Sequence, residues 1–368
     1  MHVPATLVRG GTSKCWLFDE SELPTVDGLE ALLVNAYGAA DPVHLDGVGG
    51  ATPTTSKAAV VRPSGTPGVH VDYLFGQVGI GVGRVEWGSN CGNCATAIAL
   101  WSVARGLVAT GGDTTRVVMR NTNTGAVLEA EVDTPGGQVP EFGAQTVPGT
   151  RAGGVAVGLT FLDPAGSTTG SVLPAGTSVE EWDVGGTRAR VSMVDAGAPM
   201  VLVDAAALGR TGAEDVREVA GLVEDLRRIR HRASPRMRLT APGATPGDAV
   251  PKVGIVGPPR PYRTSLGDEV RADDHDVSVR MLSMNAPHPT IGLTSAVGVA
   301  VANALEGSTV HRASTAPGAA ALRIGTPAGV ITVTSSGTGD PGPRRVTVRR
   351  AARILCTAEI VVPESIPA

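Results

Sequence analysis

The sequence predicts an α+β fold of two similar domains, each a β-rich, barrel-like shell around a buried helix. Three observations carry this prediction. Short alternating segments of strand character outnumber helical ones along 368 residues, a length that suits two domains with real cores. Two runs, 93–105 and 292–306, are apolar on nearly every side, so each belongs inside a domain rather than on its surface. At a constant offset the two runs align, with Asn93 on Thr294, Ala97 on Gly298, Leu100 on Val301 and Arg105-Gly106 on Glu306-Gly307. Two halves with helix N-termini pointing at each other would form one shared cleft.

The elements follow in order. Residues 3–8 and 15–18 read as the strands of a hairpin whose polar tip is Arg9-Gly10-Gly11-Thr12-Ser13-Lys14. Residues 27–37 place Leu29, Leu32, Leu33 and Ala36 at helical spacing, and 46–56 form a Gly/Thr/Pro loop that ends at Lys57 before the strand 58–61. Strands at 69–78 and 81–87 lead to the Cys91 turn and the first apolar helix. Further strands lie at 116–121, 127–132 and 155–162. The turn-rich stretch 166–177 reads as the end of a first domain, giving domains 1–185 and 186–368, with the last strand free to return to the first. In the second half a strand at 187–195 precedes Thr211-Gly212-Ala213-Glu214, which fits a capping box before a helix acidic at its start and basic at its end. A strand at 276–284 and a loop with His288 then lead to the second apolar helix.

Composition narrows the function. Forty-nine Gly, 27 Pro and 3% aromatics make a turn-rich chain, while 42% hydrophobic content argues against disorder. Thirty-one Lys and Arg against 35 Asp and Glu give a net charge of −4, and the only basic cluster, 227–238, reads as a solvated helix face. The expected partner is a small molecule, not a nucleic acid or a membrane. No basic start followed by an apolar run, and no apolar stretch of about 18 residues, predicts a cytoplasmic protein. Cys15, Cys91, Cys94 and Cys356 are too few for a disulfide framework and are expected as reduced thiols.

The chemistry concentrates at Gly88-Ser89-Asn90-Cys91-Gly92-Asn93-Cys94. A tight Gly/Asn turn feeding a helix leaves unpaired backbone N–H groups and the positive end of the helix dipole beside a thiol, which suits an anion and predicts a lowered Cys91 pKa. A free cysteine is otherwise a small buried hydrophobe, and position alone leaves both readings open. Cys94, inside the apolar helix, reads as core. The C-x-x-C spacing has neither a second pair nor a nearby His, so redox and zinc readings are weak and no metal is expected. Lys57 follows Thr54-Thr55-Ser56 at a loop-to-strand junction. A lysine desolvated there acts as a general base, although a surface lysine at a strand edge is the commoner case. Thr12 and Ser13 on the hairpin tip and His288 before the second helix supply hydroxyl and cationic groups suited to carboxylates.

The runs Arg9-Gly10-Gly11-Thr12-Ser13-Lys14, Gly49-Gly50-Ala51-Thr52 through Thr55-Ser56-Lys57, Asn90-Cys91-Gly92-Asn93, Asp163-Pro164-Ala165-Gly166-Ser167 and Pro287-His288-Pro289 together resemble the 2-methylaconitate cis-trans isomerase family. That family also contains 4-oxalomesaconate tautomerases and methylitaconate isomerases. The resemblance extends to Val194-Asp195-Ala196-Gly197 and to 349–353, nearly the whole chain in order. It implies the diaminopimelate-epimerase-like fold with the site between two pseudo-symmetric domains. It also implies cofactor-independent proton transfer on an unsaturated di- or tricarboxylate, giving a cis-trans isomerisation or an allylic double-bond shift. Lys57 falls on the family's proposed base and Cys91 on the facing thiol. Amides near Gly92, Asn93, Thr294 and Ser295 would hold carboxylates and spread the charge of a dienolate. Asn90, Thr12, Ser13, Ser56, Arg280 and His288 would complete the substrate contacts.

Departures from the family pattern bear on the substrate. Gly292-Leu293-Thr294-Ser295 carries no thiol, against two-cysteine racemisation, and Ser295 stands where Gly is usual. Cys15 replaces a commoner Gly and Cys94 an aliphatic residue. The rival readings are an epimerase or isomerase of another carboxylate and a non-catalytic carboxylate-binding protein. A homodimer is left open.

Overall fold

A computed structural model describes residues 1–23, 28–87, 91–241, 243–339 and 342–363. Its contacts divide the chain into two units, Met1–Thr160 with Arg349–Ala368, and Phe161–Val348. The stretch 166–177, read from composition as the end of the first domain, is tied to the second unit. The Gly166 N–H donates to Asp195 O at 2.8 Å, and the Thr168 and Thr169 N–H groups donate to the Asp195 carboxylate at 2.9 and 2.6 Å.

In the first unit β1 (His2–Gly10) and β2 (Ser13–Asp19) form the expected hairpin, Gly10 facing Ser13 across the turn Gly11-Thr12. Helix α1 (Leu29–Tyr37) buries Leu29, Leu32, Leu33 and Ala36, the positions its periodicity marked. β3 (Lys57–Pro63) lies parallel to β2 and antiparallel to β4 (Val71–Val78), in a register that sets Lys57 opposite Gln77. β5 (Val85–Glu86) pairs antiparallel with β4 and precedes α2 (Gly92–Ala104). β6 (Thr114–Asn121) runs parallel to β4 and antiparallel to β7 (Val127–Asp133), and β8 (Val155–Leu162) follows.

Helix α2 buries every residue from Cys94 to Val103 and packs against β1, β2, β3, β6 and β7. Its alanines give it helix propensity and a narrow body, so strands can approach closely. It stops before Gly106, whose φ of +74° suits the residue after a helix end. The tightest approach is at Gly10. A Cβ there would lie 1.9 Å from Asn93 O and 2.9 Å from Ala97 N, so only glycine lets the end of β1 lie on the first turn of α2.

In the second unit β9 (Glu180–Val184), β10 (Thr187–Ala196) and β11 (Ala198–Asp204) are successive antiparallel neighbours. α3 (Val216–Ala220) and α4 (Val223–Arg236) follow, and β12 (Lys252–Gly257) lies parallel to β11. A small separate hairpin joins β13 (Tyr262–Arg263) to β14 (Glu269–Val270). β15 (Val277–Ser283) is antiparallel to β12 and to the short β16 (Ala286–Pro287). α5 (Leu293–Ala304) is buried from Ser295 to Asn303, and α6 (Thr309–Ala313) packs against it. Leu293 opens α5 at the same offset at which Gly92 opens α2. β17 (Ala321–Thr326) is parallel to β15 and antiparallel to β18 (Gly329–Gly339). β19 (Gly342–Val361) starts antiparallel to β18, and beyond Arg349 it pairs antiparallel with β1 in the first unit.

One expected helix start is displaced. The Thr211 N–H does donate to Glu214 Oε1 at 2.6 Å, but the N-cap is Asp215 rather than Thr211, its carboxylate accepting from the Arg217 and Glu218 N–H groups at 2.8 Å each. The basic cluster is partnered internally: Arg227 and His231 meet Asp248 at 2.9 Å, and Arg236 pairs with Glu180. Among the described residues no helix is long and apolar enough to cross a membrane.

Gly10→Ala is expected to destabilise the protein by roughly 1–3 kcal/mol, because the added methyl meets backbone that cannot rotate away. Denaturant unfolding measures this, and an unchanged midpoint would show that β1 and α2 are less tightly apposed.

Candidate active site

Lys57 opens β3 at 9% exposure, so the expected burial is present. Its Nζ donates to Gln77 Oε1 at 2.6 Å and lies 5.2 Å from the centre of the Phe75 ring. Gln77 is itself oriented, since its Nε2 donates to Ser56 O at 2.8 Å and so turns the amide oxygen toward the amine. The Tyr37 hydroxyl donates to Lys57 O. Ser56 is fully buried, and its hydroxyl faces His44 Nδ1 at 3.5 Å, while His44 Nε2 lies 3.0 Å from Gly79 O. A carbonyl only accepts, so Nε2 carries the proton, and in the neutral ring Nδ1 accepts from Ser56. The Ser56 hydroxyl therefore braces the loop, a different task from the substrate contact expected of it.

Cys91 is the N-cap residue of α2 and is half-buried. Its thiol is near enough to the Lys57 amine and to Cys94 for each to bear on its pKa, and Cys94 is in turn influenced by Cys15. The Cys94 hydrogen bond and burial push the Cys91 thiol well up, and the nearby Lys57 charge and the Cys94 N–H do not reverse this. The lowered pKa expected from the helix terminus is thus overturned, because a neighbouring buried thiol and desolvation outweigh the dipole. Burial likewise pushes Cys94 up. On Lys57, burial acts downward but charge on Cys91, Cys94 and Cys15 acts upward and prevails. That upward pull needs thiolates. Cys91 and Cys94 are themselves pushed up, so that pull weakens where they stay protonated, while burial of Lys57 opposes it throughout.

A second group surrounds the first turn of α2. Asn93 Nδ2 donates to Thr12 Oγ1 at 3.2 Å and Ser13 Oγ at 3.3 Å, and Asn93 Oδ1 accepts from Arg350 Nη2 at 3.2 Å. Gly11, at φ +53°, leaves room for this, since a Cβ would lie 2.2 Å from Asn93 Oδ1. The first N–H to close the helical turn is that of Ala95, to Cys91 O, so those of Gly92 and Asn93 have no acceptor within the helix. Asn90 lies outside the described residues.

The first unit thus brings together Lys57, Cys91, Thr12, Ser13, Gly92 and Asn93. Gln77, His44 and Arg350 join them without having been singled out, because each acts through a strand register or a loop fold that motif spacing does not express. The remaining candidates belong to the second unit. Thr294 and the buried Ser295 occupy the first turn of α5, and half-buried His288 accepts through Nδ1 from the Thr290 N–H at 3.0 Å. Arg280 departs from its expected role as a carboxylate clamp. It is 1% exposed, donates to Glu214 O, Val279 O and Gly325 O at 2.5, 2.9 and 3.1 Å, and lies over the Tyr262 ring, all of which make it a core strut. A cavity of about 480 Å³ in this unit, bordered by Trp182, Asp225 and Arg232, contains none of the candidate residues. Among the described residues no group of three or more His, Cys, Asp or Glu is placed to hold a metal ion.

The raised Cys91 pKa predicts that alkylation by iodoacetamide, followed site by site in mass spectra, has its pH midpoint above the ordinary thiol value of 9.0. A midpoint below that value would mean that the helix dipole governs the thiol after all.

A family model described as PrpF protein matches residues 1–363. A (4E)-oxalomesaconate Delta-isomerase of Novosphingobium sp. (strain KA1) is 37% identical over 318 residues, 85% of this chain and 84% of that protein. A 2-methyl-aconitate isomerase of Shewanella oneidensis is 33% identical over 389 residues, covering 98% of this chain and 97% of the relative. The crystal structure of a methylitaconate-delta-isomerase matches with a TM-score of 0.86 at 30% identity, over 98% of this chain and 96% of that one. With a match running from the N-terminal hairpin to the end of β19, the chain belongs to the PrpF protein family.

Proposed function

We propose that the protein is a cofactor-independent isomerase that moves a proton on an unsaturated di- or tricarboxylic acid. The observation that carries this reading is the Lys57 amine, buried, aimed by Gln77 and in contact with the Cys91 thiol at the N-terminus of α2. The family adds the substrate class, since relatives named for oxalomesaconate, methylaconitate and methylitaconate share nearly the whole chain.

The chemistry follows from these groups. The free Lys57 amine takes a proton from a carbon alpha or vinylogous to a carboxylate, and the electron pair spreads into a dienolate. The N–H groups of Gly92 and Asn93, at the positive end of α2, stabilise the carboxylate on which that charge collects. A neutral Cys91 thiol is a proton donor rather than a base, so Cys91 or the Lys57 ammonium returns a proton. Return at the far carbon shifts the double bond, and return after rotation in the carbanion gives the cis-trans isomer. The second unit has a helix terminus of its own, with Thr294 and Ser295 in the first turn of α5.

The order of strand neighbours supports the finer fold. Along β19-β1-β2-β3-β4-β6-β7 the pairings run antiparallel, antiparallel, parallel, antiparallel, parallel, antiparallel. Along β9-β10-β11-β12-β15-β17-β18 the same series recurs, with α2 and α5 at matching places. This favours two pseudo-symmetric, diaminopimelate-epimerase-like domains, each a shell around its helix.

In D2O, the protein is expected to incorporate deuterium into aconitate-type or oxalomesaconate-type acids and to form an isomer, with Lys57→Met slower by about 10²–10⁴-fold. Binding without exchange across such a panel would favour a carboxylate-binding protein, and full activity in Lys57→Met would remove Lys57 as the base. Gln77→Glu sets an anion beside the amine and stabilises its ammonium. The rising limb of the pH–kcat/KM profile, where free amine appears, should therefore move to higher pH, and an unmoved limb would mean that another group titrates.

A further inference from the structure

We infer that Arg350 is a substrate-binding residue, the cation that receives one carboxylate of the substrate at the α2 terminus. The inference rests on the carboxylate-isomerase reading above and adds to it a residue with a defined task.

The placement comes from β19. Its register sets Gly10 opposite Ala352, and the Gly11 N–H donates to Ala351 O at 2.8 Å, which brings Arg350 against the hairpin tip. Arg350 is 2% exposed. Among the described residues the acceptor it reaches is Asn93 Oδ1, its Nε has none, and it forms no ion pair with an acidic side chain. Burial pushes its pKa down to about 10, against an upward pull from Cys91.

An arginine left like this is costly, because a desolvated guanidinium without a counter-ion loses hydration and recovers little. The other deeply buried arginines, Arg280 and Arg230, each leave one nitrogen unpartnered but have more acceptors. Arg280 has three carbonyl acceptors, and Arg230 has Met284 O at 2.8 Å with Asp248 at 3.7 Å. Arg9 also has an unpartnered Nε, but its terminal nitrogens donate to Gly11 O and Gly153 O and so brace the tip. In Arg350 the unused donor capacity lies where other anion-favouring groups converge. The Thr12 and Ser13 oxygens already accept from Asn93, which leaves their own hydrogens to donate. The Gly92 and Asn93 N–H groups add the helix terminus. A planar fork beside hydroxyl donors and backbone N–H groups matches the two oxygens of a carboxylate. Arg350 does not move a proton. It fixes which end of the acid lies beside Cys91 and Lys57.

Tricarballylate, a saturated tricarboxylate that cannot undergo the double-bond shift, is the probe. Titration calorimetry on the full chain should show binding by the wild type, weakening of at least tenfold in Arg350→Gln, and an intermediate loss in Arg350→Lys, with melting temperatures close to wild type. Equal affinity in folded Arg350→Gln, or full affinity in Arg350→Lys, overturns the assignment. Should Arg350→Gln not fold, Arg350→Lys and wild-type crystals soaked in tricarballylate decide. A carboxylate within hydrogen-bond distance of Arg350 Nε or Nη supports the role, and a ligand bound elsewhere removes it. Deuterium exchange by the wild type is read separately. Exchange with Arg350-independent binding leaves the isomerase reading standing without this residue, whereas Arg350-dependent binding without exchange leaves the anchor standing without the isomerase.

Discussion

A buried lysine amine needs an acceptor, and in the first unit an uncharged amide supplies it. A carboxylate at the position of Gln77 would bind the ammonium more strongly and lock it charged. Gln77 Oε1, 2.6 Å from Nζ, fixes the amine's direction while adding no charge. The arrangement reaches back through Ser56 and His44 to the loop that begins after α1, and it depends on the pairing of β3 with β4 that sets Lys57 opposite Gln77. A one-residue slip in that register would turn Lys57 to the other face of the sheet.

The thiols fit the same economy of charge. Cys15, Cys91 and Cys94 crowd one side of the amine, and a thiolate among them would pull Lys57 toward its ammonium form. Cys94 and burial push the Cys91 thiol up, and burial with Cys15 pushes Cys94 up. In the proposed reaction a protonated Cys91 would give a proton where Lys57 takes one. The positive charge for the carboxylate would then come from Arg350 and the backbone of α2, groups that move no proton.

Much of this was legible in the residues. The strand alternation, the two apolar helices and their common offset, and the Gly-rich hairpin tip each reflect local physics: side-chain period, helix propensity and the freedom of glycine. Lys57 and Cys91 stood out because each sits at a junction where a loop meets a regular element. The departures come where another group, near or distant in the chain, competes for the same partner. Thr211 and Glu214 satisfy the pattern of a helix cap, yet Asp215 holds the amides that matter. Arg280 looked available for a ligand until three backbone carbonyls were found around it. The Cys91 thiol is pushed up, opposite to the direction its helix position implies, because Cys94, one turn on, and burial act on it.

The sequence by itself determined most of the elements and the family, because these are carried by short-range patterns and by motifs of a few residues. Only the tertiary structure decided which groups surround those residues. Gln77 reaches Lys57 through a strand register, and Arg350 reaches Asn93 because a strand near the end of the chain pairs with the first one, a contact spanning 257 positions. No local pattern encodes such a contact, since it exists only when the strands have found their partners.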